Sequence, residues 1–165
     1  MSQMKQFLKE LEKESAVSRK MLSIVPNDKF DWQPHPKSMT IRRLAVHIAE
    51  LPLWIDMVLT TGELDFAANP YTPAPVNNTK ELVAYFEKSL QTGREALQNG
   101  SEASLAELWT LRNGDEVYSK EPKSDVIRMT LNQITHHRAQ LGVFLRLLDV
   151  PIPGSYGPSA DEMSF

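Results

Sequence analysis

His137 follows Gln133 by four residues in LNQITHHRAQL, residues 131–141, and His47 lies in LAVHIAE on a separate apolar stretch. Residues four apart share one face of a helix, so Gln133 and His137 would project together. One histidine from a second helix would add a third donor, leaving an open position for water or substrate. That donor set suits a divalent transition metal: neutral imidazole takes Zn, Ni, Cu or Fe, and Zn or Ni is the expected ion. The Gln133 amide oxygen is a weaker ligand than imidazole, or it holds a metal-bound water. Glu50 follows His47 by three residues, as a general base or as the acceptor for an imidazole N–H. His136 points about 100° away from His137, so it belongs to the surface or serves as a nearby proton acceptor. Glu50 and His136 are the candidate catalytic residues. The same side chains also allow a purely structural role: His47 and His137 as hydrogen-bonded histidines at the core edge, Glu50 as a solvated carboxylate.

Other chemistries are excluded. No cysteine occurs among the 165 residues, so there is neither a disulfide nor a cysteine nucleophile. No serine sits in a nucleophile elbow, and no glycine-rich phosphate loop is present. HIAE differs from the HExxH of metalloproteases. The net charge of -3 and a pI near 5.8 give no basic footprint for nucleic acid. No run of about 18 apolar residues predicts a membrane span. The charged start MSQMKQFLKELEKES lacks the pattern of a signal peptide, so a cytoplasmic location is expected.

These residues need helices to position them. Apolar spacing predicts a first helix over 3–25, ended by Pro26. A second covers about 40–61, capped by Thr40, with Leu44, Ile48, Leu51, Ile55 and Val58 inward and Pro52 as a kink. The loop ANPYTPAPVNN leads to a third helix, capped by Asn78 or Thr79 and ending near 98. Asn113-Gly114 within 107–120 predicts a small β-hairpin. The last helix spans about 124–149, before a Pro/Gly-rich tail. The expected class is all-α: one domain over 1–165, a four-helix bundle with one long crossover and a hairpin before the last helix. His35 falls in the exposed proline loop. Trp32, Trp54 and Trp109 line a pocket or fill the core edge, and Arg138 is expected to pair with a carboxylate on a neighbouring helix.

LAVHIAELPLW, THHRAQLGVFLRLLDVPIP, the closing YGPSADE and DWQPHPKSMT together resemble the DinB-like family of bacterial proteins, over about residues 5–162. HRAQ, similar to the family's HRGQ, is the most specific element. The resemblance implies a bundle, commonly a homodimer, with a divalent metal held by three histidines. Some relatives are transferases or isomerases dependent on a low-molecular-weight thiol such as bacillithiol, mycothiol or glutathione. Carried over by position, two ligands fall on His47 and His137. The third falls on Gln133, where this chain departs from the pattern: either Gln133 ligates or orients a water, or the metal is bound weakly, or the site is vestigial. The family name refers to damage-inducible expression, not to DNA binding. Two functions follow. One is a metal-dependent enzyme, most concretely a low-molecular-weight-thiol S-transferase and otherwise a hydrolase. The other is a non-catalytic stress-response module that holds a small ligand at a degenerate metal site.

Overall fold

The computed structural model describes residues 2–163, so Met1 and residues 164–165 of the expected domain and tail lie outside the described residues. Helix α1 is Gln3–Ser23, α2 Ile41–Thr60, α3 Thr79–Asn99 and α4 Lys123–Leu147. Side-chain caps fix three of the starts: Ser2, Thr40 and Asn78 accept the backbone N–H groups of Lys5, Arg43 and Glu81. The expected inward stripe of α2 is fully buried, from Leu44 through Val58. Each fully buried leucine or isoleucine contributes about 1.5–3 kcal/mol relative to exposure. Helix α2 packs mainly against α3 and α4, and α1 packs against the same two.

Pro52 stays inside α2, which continues to Thr60. A β-carbon added to Gly93 of α3 would lie 2.5 Å from the Pro52 carbonyl oxygen. The two backbones therefore approach so closely that only glycine fits at 93.

The β-structure exceeds the expected hairpin, which amends the all-α description. Strand β1 (Glu63–Asp65) pairs in parallel with β2 (Leu108–Asn113), which pairs antiparallel with β3 (Glu116–Pro122). Asn113 pairs with Glu116, so the turn residues are Gly114-Asp115, one position later than the sequence suggests. Gly114 has φ +60°, while Asp115 is not in the left-handed region. That fits a turn with glycine first of the two central residues. Asp65 ties the new strand in by accepting the Gly114 N–H and pairing with Arg112.

Candidate functional site

Helices α2 and α4 bring His47 and His137 together across their interface. The ring centroids are 4.8 Å apart and the planes meet at 71°. Each ring is held from its own helix by the residue three positions on. His47 Nδ1 lies 2.7 Å from Glu50 Oε1, and His137 Nδ1 lies 2.9 Å from Gln140 Oε1. A carboxylate and an amide oxygen accept only, so both Nδ1 atoms carry a proton and any ion would be held through the two Nε2 atoms. Neither Nε2 has a protein hydrogen-bond partner among the described residues. Burial, reinforced by the nearby His47 and His136, holds the His137 pKa below the usual histidine value, against the opposing Gln140 hydrogen bond. A neutral imidazole is the form that donates a lone pair.

Glu50 is buried at the centre of a relay. It accepts from His47 and from the Tyr71 hydroxyl, at 3.0 and 3.1 Å to its two oxygens. Tyr71 comes from the loop between β1 and α3. Partial burial, then the Glu50 charge, push its phenol well above the usual tyrosine range, so it stays a donor. A cavity of about 320 Å³ opens beside the relay, lined by Met39, Arg43, His47, Glu50, Trp54, Phe66 and Tyr71. A second space of about 280 Å³ adjoins it and shares Glu50, Trp54, Phe66 and Tyr71. A larger cavity of about 570 Å³ lies elsewhere, beneath the C-terminal tail, and holds none of the candidate ligands.

The other candidates separate. Gln133 turns its amide nitrogen to the Met129 sulfur at 3.6 Å. His136 is exposed and stands edge-on to His137, with centroids 4.9 Å apart. His35 is exposed. Arg138 is buried and paired at 2.7 Å with Glu14 of α1. Trp109 is a core residue whose indole donates to Thr61, Trp32 packs edge-on to Phe144, and Trp54 alone of the three lines the cavity by His47. Among the described residues, no three His, Asp or Glu side chains form a metal-holding group. The donors present nonetheless fit a divalent ion in part: two imidazoles, each fixed through Nδ1 as metal-bound histidines are.

The family model of the DinB family matches residues 1–164. The chain belongs to the DinB family. The uncharacterized protein YrdA of Bacillus subtilis (strain 168) is 24% identical over 162 residues, 94% of this chain and 89% of YrdA. The crystal structure of a DinB-like protein from Bacillus subtilis, YjoA, superposes with a TM-score of 0.72 at 14% identity, covering 96% of this chain and 99% of that one. The mycothiol-dependent maleylpyruvate isomerase superposes with a TM-score of 0.61 at 17% identity, covering 84% of this chain but 60% of the isomerase. At these identities the superpositions show a shared fold.

Two residues of this DinB-family site escape the sequence reading. Gln140 stands to His137 as Glu50 stands to His47, three residues on, and that shared spacing was a usable signal. Tyr71 had none, because a loop between prolines has no periodicity to place its side chain. No helix among the described residues is long and apolar enough to cross a membrane.

Proposed function

We propose that the protein is a divalent-metal-dependent enzyme that transfers a low-molecular-weight thiol to a small electrophile. The reading treats the four helices as a bundle with its site between α2 and α4, in a single cytoplasmic domain that acts alone or as a homodimer. It is carried by one observation: His47 and His137 face each other with both Nδ1 atoms engaged and neither Nε2 taken by a protein partner among the described residues. His47 and His137 would hold the ion, with Gln133 turned inward or water completing the set. When bound, such an ion supplies Lewis acidity and lowers the pKa of a coordinated thiol or water. The chain has no cysteine, so the thiol comes from outside. Glu50 fixes the orientation of the His47 ring, and Tyr71 holds Glu50 in place. His136, exposed beside His137, is the group placed to exchange a proton with solvent. The mycothiol dependence of the isomerase that shares the fold supports the thiol part of this reading.

Elemental analysis of untagged protein, purified without chelator, tests it. About one equivalent of a transition metal is expected, lost in both His47→Ala and His137→Ala. Thiol consumption by the loaded protein with an electrophile is then measured. Unchanged metal content in both variants rules out this site.

Gln133 favours a second reading. Its amide faces Met129 rather than the histidines, as in a site that no longer holds metal. The cavity would then take a small ligand without catalysis. Melting temperature separates the two, because a ligand that binds only the folded state raises it. A rise with Zn or Ni supports the enzyme, and a rise with small apolar ligands alone supports the binding module. Hydrolysis at the same metal is the remaining enzymatic version, and ester turnover without thiol would indicate it.

A further inference from the structure

Eight arginines occur in the chain, and seven of them form ion pairs with aspartate or glutamate, including those at the surface. Arg43 is the exception. Its guanidinium has no ion pair or hydrogen bond among the described residues, although its backbone N–H serves the Thr40 cap. It lines the same cavity as His47, one helical turn before it on α2. Arg43, His47, Glu50 and Trp54 repeat at helical spacing and all line that cavity. Glu50, the acidic group in the cavity wall, is already committed to His47 and Tyr71. The cavity wall therefore carries one guanidinium with open donors and one carboxylate whose acceptors are already engaged.

A guanidinium left open in a concave site matches a planar oxyanion through two parallel N–H donors. The remaining walls are largely apolar, with Trp54, Phe66 and Met39 partly exposed to the space. A volume of about 320 Å³ suits a small organic molecule rather than a peptide. The open guanidinium offers one pair of parallel donors, which a single carboxylate fills. A dianion such as phosphate would bring its second charge towards Glu50.

We propose that Arg43 is the specificity-determining residue for a small monocarboxylate whose apolar body packs on Trp54 and Phe66. The inference rests on the reading of this cavity as the substrate site, and it names the class of substrate that the site takes.

The test is calorimetric titration of the full chain, both metal-stripped and Zn-loaded, with 3-phenylpropionate, its neutral amide, and inorganic phosphate. The acid is expected to bind at least roughly tenfold tighter than the amide, a difference of about 1.4 kcal/mol. Arg43→Gln is expected to abolish that preference and Arg43→Lys to keep part of it. Arg43→Gln should retain the wild-type melting transition, which shows that the variant is folded. Equal binding of acid and amide overturns the proposal, as does an acid preference that survives in Arg43→Gln. No saturable binding of the acid below about 10 mM overturns it too. Phosphate competing as well as the acid overturns the choice of a monocarboxylate. Failure of wild-type protein to take up metal counts against the enzymatic reading alone, because the acid preference is also measured on stripped protein.

Discussion

Three consecutive residues of α4 serve three different surroundings. His136 meets solvent, His137 meets His47, and Arg138 reaches Glu14 on α1. The 100° step of the helix divides them, and this much followed from periodicity. Periodicity also put His47 and His137 on facing stripes. It could not fix what holds each ring, because that depends on rotamers and on a loop. Glu50 is the informative residue to change. Glu50→Gln keeps an acceptor near His47 but removes the carboxylate charge that the ring faces. Replacing such a partner of a metal-bound histidine typically costs 10–100-fold in metal affinity, and we expect a loss of that order here. Competition with a chromophoric chelator measures it. Affinity equal to wild type would mean that the His47–Glu50 contact serves only packing.

At the scale of elements, the contact between α2 and α3 turns on one missing side chain. Gly93→Ala gains about 1 kcal/mol in helix propensity. Its new β-carbon would sit 2.5 Å from the Pro52 carbonyl, and backbone cannot yield as a flexible side chain does. Overpacking of this kind costs about 1–3 kcal/mol, so we expect a net fall in melting temperature. A rise would mean that α3 can move away from α2 without penalty. Gly93 looks like an ordinary weak point in a helical sequence, since close approach of a distant segment leaves no local trace. The helices themselves were legible because caps and stripes are local, and their observed ends lie within two residues of expectation. Strand β1 was not legible. Three residues are too few for a period, and their partner β2 lies more than 40 residues away.

At the scale of the whole molecule, the C-terminal tail is fastened to the helices by side chains. Glu14 accepts from Thr135, Arg138 and Tyr156, and Arg138 also donates to Ser155. Lys20 pairs with Glu162, and Arg146 pairs with Asp161. The expected partner for Arg138 is therefore a carboxylate at the centre of a largely buried network. Removing one member of a buried ion pair leaves the other charge uncompensated, at a cost of about 3–5 kcal/mol. Glu14→Ala should show that loss as a lower urea midpoint, with the tail the first segment cut by protease. A midpoint within about 0.5 kcal/mol of wild type, the range of ordinary surface changes, would show that the network adds little. The hydrogen bonds to Glu14 from Thr135 and Tyr156 close loops of 121 and 142 residues. Chain entropy charges for that closure before any contact repays it. We therefore expect the docking of α1 beneath α4 and the tail to come late in folding, with the Glu14 contacts absent from the transition state. Until it occurs, the apolar stripe of α1 has no cover on that side, and that interval is when the chain is most open to aggregation.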